Sequence, residues 1–265
     1  MKDVQNEKDI REVELEYVGI KGVNIPIKLR DKNKDVQQVQ AVVEAFVNLD
    51  GVQKGIHMSH IIDTLFKLRE EYGLDQLVKV AEEIRDKQTK ENNGMKTKSS
   101  NLILDFKYFV DKEAPVSKVS SVLAYDVRIN IDVGRMNTKK TMVTVPVSTC
   151  CPCSLELCDN KAAHNQRGYI KITAIQDNDD DEIVWFEDLI KIAEESGSCE
   201  IYPVLRRPDE KYVTNKMFEH AKFVEDCVRD AVIKLKVKYP KLHFIVSCEN
   251  MESIHDHSAY AKTYI

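Results

Sequence analysis

At 265 residues the chain has room for one large or two small domains with a buried core, and 43% hydrophobic with 31% charged residues is a folded protein's balance that excludes disorder. The 39 basic against 44 acidic residues leave a net charge of -5, which excludes a global basic field for nucleic acid or an anionic membrane, so a polyanion must be held by a local cluster. No apolar run approaches the roughly 20 residues of a membrane span. The polar start from Met1 to Asp9 lacks a signal peptide's apolar stretch, so a cytoplasmic protein is expected.

In chain order, Val13 to Tyr17 alternates apolar and polar residues, and Val23, Ile25, Ile27 and Leu29 repeat the pattern after Gly22, which predicts a hairpin with one buried face. Ile56, Ile61, Leu65 and Leu68 recur near helical spacing, and a second helix is predicted from Leu74 to Ile84 after Gly73. Asp86 to Ser100, with Asn93-Gly94, reads as a loop. Strands follow over Leu102 to Phe109, Val122 to Val133 and Met142 to Val147, the last two joined by a turn at Gly134 to Thr138. Then come a strand from Gly168 to Ile175, a helix from Trp185 to Glu195, a short strand from Cys199 to Leu205, a long helix from Phe218 to Tyr239 and a closing strand from Leu242 to Cys248. Strands followed by two helices and more strands therefore occur twice. This predicts an α+β fold of two comparable modules, residues 1–113 and 114–265, divided near Lys112 to Lys118. Hairpin-like pairs outnumber crossovers, and neither a Gly-x-Gly-x-x-Gly nor a Walker-type loop is present, so a doubly wound nucleotide fold is not expected.

Seven cysteines, an odd number with four at Cys150, Cys151, Cys153 and Cys158, do not form an extracellular disulfide pattern. His164-Asn165-Gln166-Arg167 follows them. Thiolate and imidazole suit a borderline-soft divalent ion, and Cys-x-Cys is not the Cys-x-x-Cys of a structural zinc knuckle, so a catalytic metal with an open position is attractive. Inert buried thiols and a redox Cys-Pro-Cys pair are the alternatives. Glu249, Glu252, His255 and His257 form a second cluster, in which Glu252 and His255 read either as a proton-handling pair or as part of a solvated polar tail. Arg206 and Arg207, ahead of Lys216, make a local anion grip. On the long helix Val224, Val228, Ala231 and Leu235 form an apolar stripe, and for Glu225 the ordinary expectation is an i, i+4 ion pair with Arg229.

Taken together, Gly55-Ile56-His57-Met58-Ser59, Cys151-Pro152-Cys153-Ser154, His164-Asn165-Gln166-Arg167, Arg207-Pro208-Asp209-Glu210, Phe223-Val224-Glu225-Asp226 and Glu252-Ser253-Ile254-His255 resemble, in order, the type IB GTP cyclohydrolases. The resemblance implies tandem tunnelling-fold modules, with antiparallel sheets closing into barrels in a homotetramer, helices outside and active sites between subunits. It implies hydrolysis of GTP to 7,8-dihydroneopterin triphosphate and formate, the entry to folate and other pterins, with Mn, Fe or Zn as the divalent metal. By the same resemblance Cys151, His164 and Glu210 are the metal ligands, Cys153 lies beside them, Glu225 anchors guanine, and Glu252 and His255 move protons and position water. Arg206, Arg207 and Lys216 are the residues assigned to the triphosphate. The chain departs from the family pattern with His60 in place of a common Arg, Asn215 in place of a frequent acid, and one extra residue between Cys153 and His164. The alternatives are a nitrile reductase of the same superfamily acting on a deazaguanine, and a non-catalytic purine- or pterin-binding module with a structural metal.

Overall fold

A computed structural model describes residues 4–33, 35–69, 74–91 and 97–265. The elements are β1 (Leu15–Arg30), β2 (Val36–Leu49), α1 (Met58–Leu65) with a 3-10 turn over Phe66–Arg69, α2 (Leu74–Glu91), β3 (Ser100–Glu113), β4 (Ser120–Val133), β5 (Thr138–Cys150), α3 (Pro152–Leu157), β6 (Asn165–Asp177), α4 (Phe186–Glu194), β7 (Cys199–Glu200), α5 (Arg207–Glu219), α6 (Val224–Lys238), β8 (His243–Met251) and β9 (Ser258–Tyr264). Eight strands are hydrogen-bonded in the order β1-β2-β3-β4-β5-β6-β8-β9, and β7 pairs with β5. This is an antiparallel α+β fold, the class expected from the periodicity. The chain forms two compact units interleaved in sequence, one of residues 1–107, 128–141 and 176–183, the other of residues 108–127, 142–175 and 184–265.

In the first unit the alternation of β1 and β2 buries Ile25, Ile27 and Leu29 beside Val39, Ala41, Val43, Ala45 and Val47, each worth about 1.5–3 kcal/mol for the larger side chains. The hairpin differs from the one expected, because Tyr17 and Ile25 belong to a single strand. Gly22 (φ +75°) marks a register shift between Ile20 and Val23 rather than a turn. The partner is β2, a segment without a sequence assignment above, and the turn lies at Asp31, whose Oδ1 accepts from the backbone N–H of Asn33 and Asp35. Helix α1 packs on α2, burying Ile61 and Leu65 on one and Leu77, Ala81 and Ile84 on the other, and Leu68 of the 3-10 turn is buried as well. Helix α2 runs to Glu91, into the expected loop, because the buried Gln88 carboxamide bonds both the N–H and the C=O of His57. The break expected at Gly73 and the Asn93-Gly94 turn lie outside the described residues.

In the second unit α6 packs on β8 and β9, burying Val224, Cys227, Val228, Ala231 and Leu235. The long helix expected from Phe218 is two: Phe218 lies in the last turn of α5, which ends at Glu219, and α6 starts at Val224, where the Asp226 carboxylate accepts from the Phe223 N–H. Periodicity misses α5 because Asp209 is its one fully buried residue. That carboxylate accepts from the N–H groups of Arg206, Val116 and Ser117 and from the Ser117 hydroxyl, tying the start of α5 to the segment after β3. The short strand expected from Cys199 to Leu205 shrinks to two residues, since Pro203 offers no N–H to a ladder. The closing strand reaches Met251, and β9 then pairs along it. No helix among the described residues is long and apolar enough to cross a membrane.

Gly134 turns the chain at φ +87°, and a Cβ there would lie 2.1 Å from the Lys98 carbonyl oxygen. Gly134→Ala is therefore expected to destabilise the fold by more than about 1 kcal/mol, read as a lower urea midpoint at unchanged m-value.

Candidate active site

The chain leaves β5 at Cys150 and returns as β6 at Asn165. Its two ends are joined by a hydrogen bond from the Cys151 N–H to the His164 carbonyl at 3.1 Å. The excursion folds into α3, whose Ser154 N–H donates to Cys151 Sγ at 3.4 Å and whose Ser154 hydroxyl accepts from the His164 N–H at 3.3 Å. Thiol and imidazole are thus positioned by one small loop. They line a cavity of about 300 Å³ with Gln166, Lys222, Phe223, Glu225, Asn250, Glu252, His255 and His257.

Each wall has a local reason. Successive inward side chains of β8 are Cys248 and Asn250, with Glu252 just past its end. Glu249 points the other way and is exposed, so it does not join the cluster in which the sequence placed it. Asn250 packs tightly because its register partner is Gly168, where a Cβ would come 2.6 Å from Asn250 Oδ1 and 3.2 Å from Thr149 Cγ2. Glu225 sits in the first turn of α6 with its side chain exposed at the cavity. The expected Glu225–Arg229 pair is replaced: Arg229 pairs with Asp226 at 3.3 Å, an i, i+3 contact on the same helix. His255 and His257 stack at 5.0 Å with rings 12° apart. His164 Nδ1 is 3.1 Å from Gln166 Oε1 and 3.7 Å from Glu252 Oε2.

Of the expected metal ligands, Cys151 and His164 share this cavity, while Glu210 is exposed on α5 and is not among its lining residues. Among the described residues no three His, Cys, Asp or Glu are grouped closely enough to hold an ion. A thiol and an imidazole held together by the backbone nonetheless have the donor chemistry a divalent transition metal takes, so this pair fits such a group. Cys153 is exposed on α3, and Arg206 and Arg207 are exposed at the start of α5. Lys216 lies elsewhere, lining a second cavity of about 440 Å³ with Lys112, Glu194 and Glu200. Its Nζ bonds Glu200 Oε2 at 2.5 Å, and Glu200 also accepts from the Tyr202 hydroxyl at 2.6 Å. Gln166, Lys222 and Asn250 received no role from the sequence. Strand alternation flags two of them, since Gln166 follows His164 and Asn250 precedes Glu252 at spacing two, but nothing local to Lys222 does so.

All seven cysteines are free thiols. Burial pushes the Cys199 thiol up to about 12, and burial also raises Cys150. Alkylation of the native protein is expected to modify Cys151, Cys153 and Cys158, and to reach Cys150, Cys199, Cys227 and Cys248 only after unfolding, as mapped by peptide mass spectrometry. Burial opposes ionisation of Glu200, but the hydrogen bonds from Lys216 and Tyr202 outweigh it and take its pKa from 4.5 to about 2. A carboxyl depressed by folding stabilises the native state above its unfolded pKa, and that contribution disappears as pH falls through the folded one. Stability is expected to drop between pH 4.5 and 2, and Glu200→Gln to flatten that part of the melting-temperature profile.

Residues 1–261 match the family model described as type I GTP cyclohydrolase folE2. The chain is 37% identical to GTP cyclohydrolase FolE2 of Methylobacillus flagellatus, over 98% of this chain and 94% of that one. It is 38% identical to the FolE2 of Syntrophotalea carbinolica, over 98% and 94%. With the FolE2 of Thermosipho melanesiensis the identity is 40%, over 98% and 96%.

Proposed function

The chain belongs to the type I GTP cyclohydrolase FolE2 family, and from that membership we propose how its own residues carry out the reaction. It is an enzyme, a GTP cyclohydrolase of folate biosynthesis. The proposed reaction is hydrolysis of GTP to 7,8-dihydroneopterin triphosphate and formate. The observation that carries the residue assignment is the meeting of Glu225 with Cys151, His164, Glu252 and His255 around one cavity.

Glu225 anchors the purine. Guanine offers two parallel donors, N1–H and the exocyclic amine, and a carboxylate accepts both at once. Cys151 and His164, with Glu210 assigned from the Arg207-Pro208-Asp209-Glu210 motif, would hold Mn, Fe or Zn, which supplies Lewis acidity at the C8 end of the base. His255, which lines the same cavity as Glu252, takes the proton from the water that attacks C8 and returns it to the leaving ring nitrogen as the imidazole opens to a formamide. A second water releases formate by the same exchange. Cys153 stands next to this centre, and Arg206, Arg207 and Lys216 are the proposed triphosphate contacts. Since Lys216 is engaged by Glu200, its use requires exchange of one anion for another. Tandem tunnelling-fold modules, 1–113 and 114–265, a homotetramer with active sites shared between subunits and a cytoplasmic location complete the proposal, supported by the motif order described above.

The test is anaerobic incubation of metal-stripped protein with GTP and added Mn, Fe or Zn, following formate and oxidised-pterin fluorescence. Metal-dependent appearance of both is expected, and Glu225→Gln should lower kcat/KM by about 10²-fold or more, because an acceptor oxygen becomes a donor facing a donor. Folded protein giving neither product with any metal would overturn this reading, and wild-type kinetics for Glu225→Gln would overturn the anchor.

A further inference from the structure

Gln166 has no role in the reaction proposed for this site, yet its side chain is in polar contact with the His164 ring. The residue is 8% exposed and lies on β6, two positions beyond His164 and on the same face. Its Nε2 donates to the hydroxyl of Thr149 at 3.0 Å, and Thr149, on the neighbouring strand β5, is fully buried. With the amide nitrogen engaged there, Oε1 is turned to His164 Nδ1 at 3.1 Å. A carboxamide oxygen only accepts, so this contact is a hydrogen bond when the ring nitrogen facing it carries the proton. The second group near Nδ1, Glu252 Oε2, is at 3.7 Å, beyond hydrogen-bond length, and is likewise an acceptor when ionised. Neither neighbour favours a lone pair on Nδ1. The proton on Nδ1 leaves the lone pair on Nε2.

We propose that Gln166, anchored by Thr149, is a positioning residue that holds His164 in the Nδ1–H tautomer and so keeps Nε2 available as a metal ligand. The proposal rests on the assignment of His164 to the metal. Its physical content is pre-organisation: a ring free to exchange tautomers or rotate presents a lone pair to the ion for only part of the time, and partners of this kind are typically worth 10–100-fold in metal affinity. Thr149 contributes by holding the amide through its Nε2, which leaves Oε1 toward the ring in this arrangement. Because it is held on the strand beside Gln166, the arrangement exists before any ion arrives.

The experiment uses the full-length protein labelled with ¹⁵N at histidine, at a pH where the imidazole is neutral. In metal-free wild type the His164 ring nitrogens are expected to give the Nδ1–H pattern. Gln166→Leu, which keeps bulk without an acceptor, is expected to mix the two tautomers and to weaken Zn or Mn binding about 10- to 100-fold in chelator competition. Gln166→Glu restores an acceptor and should recover both readings. Thr149→Val, a near-isosteric change, should shift them in the direction of Gln166→Leu and serves if that variant fails to fold. An unmixed Nδ1–H pattern and unchanged affinity in folded Gln166→Leu, or in Thr149→Val in its place, would overturn the proposal. Wild-type protein that shows the Nδ1–H pattern, loses it in Gln166→Leu and takes up no metal would uphold the hold of Gln166 on the ring and overturn the ligand assignment of His164.

Discussion

The hydrogen bond from the Cys151 N–H to the His164 carbonyl is the constraint on which the site depends. Twelve residues of sequence lie between these two positions, and the bond closes that excursion where β5 and β6 leave and rejoin the sheet. Without it a thiol and an imidazole would sit on a loop with independent ends. With it, Ser154 can serve both, its N–H toward the sulfur and its hydroxyl toward the His164 backbone. A single closure therefore orders the chemically useful pair. The gain lies mainly in geometry, since one backbone hydrogen bond contributes only about 0.5–1.5 kcal/mol net.

The rest of the cavity is placed by the two-residue period of the strands and by the start of α6. Inward positions on β5, β6 and β8 put Thr149, Gln166 and Asn250 on the face where the loop closes, and Gly168 lets the neighbouring side chains approach across the sheet. Residues on the outward face, such as Glu249, are excluded by the same rule. The first turn of α6 brings Glu225, whose competing partner Arg229 is taken by Asp226. A carboxylate left to the cavity and not to a neighbouring cation can be used for recognition.

Charge is handled differently around Glu200. There the lysines are satisfied within the protein: Lys112 bonds both oxygens of Glu194, and Lys216 bonds Glu200. Tyr125 and Tyr202 donate to the same carboxylates, so each of these charges is met by a partner within the protein. Basic residues that look alike in sequence, Arg206, Arg207 and Lys216, thus have unlike surroundings, the arginines being exposed while the lysine is engaged.

Periodicity was enough to place most strands, the apolar stripe of α6 and the helix over α4, because burial of alternate or helically spaced residues is a local requirement. The ordered motifs pointed to the GTP cyclohydrolases, and the similarity to the FolE2 proteins places the chain in that narrower family. Sequence could not place β2 as the partner of β1, separate α5 from α6 or find β9. Strand pairing is non-local, and the buried surface of α5 is a single aspartate whose partners lie about ninety residues earlier. Nor could it distinguish Glu225 from Asp226 as the partner of Arg229, or reveal that Thr149 bonds the amide of Gln166. Those outcomes depend on side-chain directions measured in ångströms, which adjacency along the chain does not encode. The sequence by itself determined which chemical groups the protein possesses and the period on which they fold. Only the tertiary structure decided which of them meet, because meeting requires strands and loops distant in sequence to be brought into register.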